Sequence, residues 1–375
     1  MNGPYQLSGD SITYVGNAHF SPMELRDCLS DVVDDRCTSI ERNREYWDRL
    51  IRIDSQLNSS LHRFFVEKLG ACLVDLPLLT RSISSPGALG DKPAIVSDVR
   101  PFVIQYFRHT EPLFLSQSSQ LYLEAYILMT SANKVYTVGK SFRNEDSDFR
   151  HLTEFRHAEC EVFGDLSHIL DVQEKMVRFL IHELIAKCEP DVRFFLSEQD
   201  IASLDLPSGS FTTMTFDEAF TQLYKATKNS KYDPRSASVL NFDAKAEILL
   251  THLVGDGKPL FVTHYPTQEV AFYHAVSPSD PSRVINADLL FPNYGEVIGS
   301  GQRVFSRGDY EHKRDMFRLC PDDYDWYGTV RESSKHKEPH SGFGMGIERF
   351  MAAVLKLPSL IHATAFPRVH WAIRP

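Results

Sequence analysis

Two hydrophobic periods divide the chain. In SIERNREYWDRLIRIDSQLNSSLHRFFVEKLG, from Ser39 to Gly70, the apolar residues Trp47, Leu50, Ile51, Leu57, Leu61, Phe64 and Phe65 fall three and four apart. That spacing predicts a long amphipathic helix with Gly70 as its stop. Further helices are predicted in SSQLYLEAYILMTS, where Ser118 or Ser119 can cap, in LSHILDVQEKMVRFLIHELIAKC, and more weakly in FDEAFTQLYKA and DAKAEILLTHL. Strands are predicted in ACLVDLPLL with its Pro77, FVIQYF, PLFLSQ, KPLFVTHYP, EVAFYHAV, RVINADLLFP and GEVIGSGQRVF. KVYTVGKSFRNE and TEFRHAECEVFGD read as an antiparallel hairpin joined by the charged DSDFRHL, SISSPGALGDKP as a turn-rich loop, and SGFGMGIERFMAAVLKL as a Gly-rich strand or turn entering a helix. The pattern predicts an α+β protein, a large antiparallel sheet flanked by helices. Residues 1–38 hold no sustained period and read as an N-terminal arm; residues 39–375 read as one domain.

Composition narrows the class. The 375 residues carry a formal charge of −10, which argues against a broad non-specific nucleic-acid surface but leaves room for a local basic groove. No apolar run reaches the length of a membrane span, and MNGPYQLSGD lacks a basic stretch followed by an apolar core. A cytoplasmic protein without a membrane partner is expected. The six cysteines form no CxxC pair, so neither a zinc ribbon nor a redox motif is suggested, and buried reduced thiols are expected.

Three segments concentrate chemistry. In the hairpin, period two puts Arg143 with Glu145 on one face and Glu159 with Glu161 on one face of the return strand. Guanidinium groups suit bidentate phosphate binding, carboxylates suit a hard cation such as Mg²⁺, and Arg150 and His151 in the loop can reach outer phosphates. The alternative is a set of cross-strand ion pairs on a solvated sheet. In GFGMGIERF, Gly342, Gly344 and Gly346 let a flat ligand or another backbone come close, and Arg349 follows in the first helical turn. Packing alone also explains such glycines. In DLLFPNYGEVIGSGQR, Asp288 and Glu296 are acids in apolar strands that need a partner or a metal, with Arg303 seven residues past Glu296.

FRNE followed by RHLTEF resembles motif 2 of the class II aminoacyl-tRNA synthetases, GFGMGIERF resembles their motif 3, and the long helix ending in LGACLVDLPLL with Pro77 resembles motif 1. LSQSSQLYLEAY, PNYGEVIGSGQRVF and the ending AFPR are most similar to the asparaginyl enzymes of the aspartyl/asparaginyl subgroup. The resemblance implies the class II sheet, a homodimer formed through motif 1, and activation of an amino acid by ATP with Mg²⁺. Arg143 would bind the α-phosphate and substrate carboxylate, Glu145 the adenine amino group, and Arg150 and His151 the outer phosphates. Phe155 and Arg349 would cover the two faces of the adenine, with Arg349 also on the γ-phosphate. Glu296 with Asp288 would hold Mg²⁺. Arg303 would bind the side-chain carbonyl of the amino acid, Glu124 would accept from its amide and repel aspartate, and Gln120 would orient its amino end.

The resemblance also breaks. The family's anticodon-reading barrel has no counterpart in the fewer than 40 residues before the core, so anticodon recognition is not expected. Ser85 or Pro86 stands where the family has the Glu that binds the α-ammonium; Glu159 is a candidate substitute. Val270 stands where the family has a basic residue. The expected protein is therefore an adenylate-forming ligase that activates asparagine or a close analogue and passes the acyl group to a small amine or ammonia rather than to full tRNA. The alternatives are a minimal asparagine–tRNA ligase, an asparagine synthetase-like enzyme acting on aspartate, and an inactive ATP-binding regulatory module.

Overall fold

A computed structural model describes residues 5–8, 11–14, 36–84, 101–108, 110–206, 209–233, 242–334, 336 and 338–373. The thirteen described strands are β1 (Tyr5–Ser8), β2 (Ser11–Tyr14), β3 (Cys72–Leu73), β4 (Leu79–Thr80), β5 (Val103–Ile104), β6 (Leu113–Leu115), β7 (Lys134–Phe142), β8 (Glu154–Phe163), β9 (Thr212–Thr215), β10 (Leu260–Thr263), β11 (Asn286–Phe291), β12 (Gly295–Gln302) and β13 (His340–Gly346). The described helices are α1 (Arg36–Arg42), α2 (Arg44–Arg63), α3 (Gln120–Met129), α4 (Leu166–Phe195), α5 (Glu198–Ser203), α6 (Phe216–Thr227), α7 (Ala244–Leu253), α8 (Arg307–Phe317), α9 (Pro321–Ser333) and α10 (Ile347–Leu355).

Eight strands form the main sheet in the order β3-β7-β8-β13-β12-β11-β10-β9. The six inner strands run antiparallel to one another, and β3 and β9 close the edges in parallel pairs with β7 and β10. The expected antiparallel α+β sheet is thus present. Alternation gives the sheet two distinct faces. On β8, Ala158, Cys160 and Val162 enter the main core, while His157 and Glu159 line a cavity on the other face. On β13, Phe343 and Met345 enter the core and Gly344 faces the cavity. On β11 the split is Ala287, Leu289 and Phe291 against Asn286 and Asp288. The core face is covered by α2, α4 and α10; α6 and α7 pack a second cluster near β9 and β10.

The predicted long helix forms as α1 and α2 interrupted at Asn43, and continues as a π turn over Phe64–Leu69. Gly70 ends it with φ 71°, a left-handed conformation that favours glycine. Leu50, Ile53, Leu57 and Leu61 bury its inner face, while Ile51 stays exposed. α4 runs on through Pro190 with non-helical angles at Cys188, where proline removes a helical donor.

Several expectations give way. ACLVDLPLL forms only the short β3 and β4, with Pro77 between them, because proline cannot complete a ladder. EVAFYHAV makes isolated bridges, His274 with Arg303 and Val276 with Val284, instead of a strand. α8 and α9 were not predicted; Ser306 and Asp309 form a capping box at the start of α8. Ser119 occupies the N-cap of α3 without a side-chain cap bond. Cys160 and Cys188 are buried free thiols, but Cys37, Cys72 and Cys320 are exposed. Of the N-terminal arm, β1 and β2 pair as a hairpin and most of the rest lies outside the described residues. Among the described residues no helix is long and apolar enough to cross a membrane.

Candidate active site

The cavity face carries a hollow of about 330 Å³ that continues into a second one between the hairpin loop and α10. Arg143, Arg150, His157, Glu296 and Gly344 border both. β7 ends at Phe142, so Arg143 and Glu145 reach the second hollow from the loop and not, as predicted, from one strand face. Arg349 borders it from the first turn of α10, and His151 and Phe155 border it as well. Arg143 and Arg349 therefore share one hollow. The Arg143 guanidinium lies 5.3 Å from the centroid of the Phe155 ring, a cation–π arrangement.

Carboxylates fix the other arginines. Arg349 donates to Glu296 Oε2 at 3.2 Å and to the Arg150 carbonyl at 3.1 Å. Burial would raise the Glu296 carboxyl, but Arg349, Arg150 and Arg143 together hold it below its ordinary range. Arg150 is buried and paired with Glu247, whose Oε2 also accepts from the Glu296 backbone N–H at 2.9 Å. Burial opposes the Arg150 charge, but Glu247 and then Glu296 hold its pKa above the ordinary value. Arg150 thus stays in the loop between β7 and β8, as expected, but its guanidinium is a wall group already paired with Glu247. His151 lies against Asp148, its Nδ1 2.7 Å from Oδ1.

Asp288 faces Glu296 across β11 and β12, whose register shifts between Leu289 and Leu290. Such a bulge re-aims a side chain. A Cβ at Gly299 would meet Glu296 Oε1 at 3.2 Å and Asp288 Oδ1 at 3.6 Å, so the two carboxylates converge over that glycine. Burial, then Glu296 and Glu247, push the Asp288 carboxyl well above its ordinary value. These two converging carboxylates offer the oxygen donors that a hard divalent cation takes.

The opposite end of the larger hollow is built around Arg303. This buried side chain donates to Glu161 at 3.3–3.4 Å, and its Nη1 lies 3.5 Å from His274 Nδ1. Arginine has no acceptor, so His274 Nδ1 accepts and its Nε2 carries the proton. Burial, then Arg303 and Lys313, keep that imidazole neutral. Gln120 donates through Nε2 to Glu161, which leaves its carbonyl oxygen as an acceptor. Burial lifts the Glu161 carboxyl to about 8 against the pull of Arg303.

Glu124 is fully buried and does not border either hollow. It accepts from Tyr327 at 2.6 Å and from Arg331, with His340 Nε2 at 3.3 Å and Arg303 at 3.9 Å. Although burial raises its pKa, Arg331, His340 and Arg303 hold it low, so it stands ionised behind Arg303. Glu159 borders the larger hollow, but its carboxylate already accepts from Ser118 and from the Ser119 N–H, beside His157 at 3.4 Å. Ser85 lies outside the described residues; Ser84 borders the hollow.

The motif-3 glycines serve neighbouring side chains. A Cβ at Gly342 would strike the Glu161 carboxylate and come within 2.7 Å of Arg303, and one at Gly344 would meet the His157 ring at 2.7 Å. Sequence reasoning missed Glu247, Glu269, Tyr265 and His274. One signal for Glu247 was available: it is an acid between Ala246 and Ile248, residues that α7 buries.

A largely antiparallel sheet flanked by helices in this order is the fold of a class II aminoacyl-tRNA synthetase catalytic domain. Residues 32–370 match the family described as tRNA synthetases class II (D, K and N), and the chain belongs to that family. It is 33% identical over 329 residues to an asparagine–tRNA ligase of Thermus thermophilus, covering 87% of this chain and 70% of that relative. It is 36% identical over 280 residues to that of Pyrococcus furiosus, covering 73% of this chain and 60% of the relative. The fold is similar to the crystal structure of asparaginyl-tRNA synthetase from Pyrococcus horikoshii complexed with asparaginyl-adenylate, with TM-score 0.78, 28% identity, and coverage of 97% of this chain and 79% of that one.

Proposed function

We propose that the protein activates asparagine with ATP to give asparaginyl-adenylate and pyrophosphate, and then transfers the acyl group to tRNA. The observation that carries this reading is the single hollow shared by Arg143 and Arg349, continuous with a pocket that ends at Arg303. In the activation step a carboxylate oxygen of the amino acid attacks the α-phosphorus, and the bond to the bridging oxygen breaks as pyrophosphate leaves. Arg143 neutralises charge on the α-phosphate and holds the attacking carboxylate. Arg349 and His151 contact the outer phosphates, and Phe155 packs against the adenine with Glu145 at its amino group. These are positioning and charge-stabilising roles. Asp288 and Glu296 would hold Mg²⁺, which supplies charge neutralisation to the phosphates.

At the other end, Arg303 and the neutral His274 are donors to a side-chain carbonyl, and the Gln120 carbonyl is an acceptor for an amide N–H. A terminal amide offers both partners, whereas a carboxylate offers no donor. A small amine as acceptor, expected from the sequence, finds no support among the relatives, whose names refer to tRNA. We further propose a homodimer: Ile51, Val66, Leu73, Leu78 and Leu79 leave an exposed apolar set along and just after α2. The test is ATP–pyrophosphate exchange with each amino acid, then charging of total tRNA. Asparagine-dependent exchange and charging are expected. Exchange with no amino acid would overturn the reading, and exchange without charging would remove tRNA as acceptor.

A further inference from the structure

Among the described residues, the larger hollow has one acid whose charge is unanswered. Glu269 lies in the segment after β10 that also delivers Tyr273 and His274 to the Arg303 end, and its backbone N–H closes a turn onto the Pro266 carbonyl at 3.0 Å. Each other carboxylate bordering this hollow is committed: Glu159 to Ser118 and Ser119, Glu247 to Arg150, Glu296 to Arg349, and Asp288 to Tyr265 within the metal-suited cluster. Glu269 has no ion pair or side-chain hydrogen bond among the described residues. Burial alone lifts its carboxyl to about 7, and no charged neighbour contributes.

A half-buried carboxylate with no partner is costly unless a cation arrives. The cations on the walls already have partners: Arg303 has Glu161 and the ionised Glu124 behind it, Arg150 has Glu247, and Arg143 also borders the second hollow. An amino acid entering this hollow brings one positive group. We infer that the Glu269 carboxylate receives the ammonium group of the amino-acid substrate. This rests on the proposed activation of an amino acid, and it adds a residue that fixes which end of a zwitterion faces the phosphates.

The experiment compares wild type, Glu269→Gln and Glu269→Asp, using asparagine in pyrophosphate exchange and its desamino counterpart, succinamic acid, as a competitor. Glu269→Gln should raise the asparagine KM about 10- to 100-fold, the scale of one charge-assisted hydrogen bond, with the ATP KM unchanged. Inhibition by succinamic acid, which has no ammonium, should stay at the wild-type level, and Glu269→Asp should recover part of the loss. An unchanged asparagine KM in Glu269→Gln, or equal weakening of asparagine and succinamic acid, overturns the inference while leaving asparagine activation intact. If the wild type exchanges another amino acid instead, the asparagine reading falls, and that acid with its own desamino counterpart tests Glu269 in the same way. Exchange with no amino acid overturns both.

Discussion

Lys313 offers a sharp test of the charge balance behind the site. It lies on α8, 1% exposed, and its ammonium has no hydrogen-bond partner among the described residues. The Phe317 ring, its centroid 5.6 Å away, lies within cation–π range of it. Burial lowers its pKa from 10.5 to about 8. The difference of about 2.5 corresponds to ~3 kcal/mol against the charged form in the folded protein. Below about pH 8 both folded and unfolded chains hold the proton, and the full penalty stands. From about pH 8 to 10.5 the unfolded chain binds more protons, so stability rises with pH through that window. Lys313→Met keeps the length of the side chain and removes the charge. At pH 7 the variant should be more stable by ~3 kcal/mol, or roughly 4 °C in Tm for a chain of this length. Melting curves from pH 6.5 to 10.5 should show the alkaline rise in the wild type and its loss in the variant. An unstabilised variant at pH 7, or an unchanged rise, would refute the reasoning and mean that the native ammonium is solvated or paired.

Other predictions probe the supports of the site. Gly342→Ala puts a methyl group against Glu161 and Arg303; the asparagine KM in pyrophosphate exchange should rise at least ~10-fold, with a loss of ~2 kcal/mol in urea melting. Glu247→Gln leaves Arg150 without its carboxylate partner and should cost about 3 kcal/mol in the same melting assay. Arg36→Ala removes donors to the carbonyls of Ile361, Thr364 and Ala365 at 2.6–2.7 Å and should also cost ~3 kcal/mol, with exchange kinetics unchanged at low temperature.

Local periodicity carried most of the architecture. The three-and-four spacing of Leu50, Leu57 and Leu61 and the period two of β7 and β8 are properties of short stretches, and they survive into the folded chain because neighbours within one element share a face. The motif residues could be picked out locally too: Glu296 and Arg349 are charged types in mostly apolar stretches, and Arg143 lies where opposite charges crowd one hairpin. Short irregular pieces were not legible. EVAFYHAV has a strand composition, yet its backbone pairs only through isolated bridges, and Ser306 opens a helix whose exposed face gives a weak apolar signal.

Sequence alone determined which groups are present: the arginines, the acids and the glycines that leave room for them. Tertiary structure decided which of those charges are already spent. Arg150 meets Glu247 across 97 residues and Glu124 meets Arg331 across 207, and no spacing rule reaches that far. The same pairings leave Glu269 unanswered among the described residues that border the cavity. Whether a charge is open to a ligand depends on burial and on partners brought from distant elements, because inside a protein an ionised group is stable only where another group, a metal or a substrate balances it.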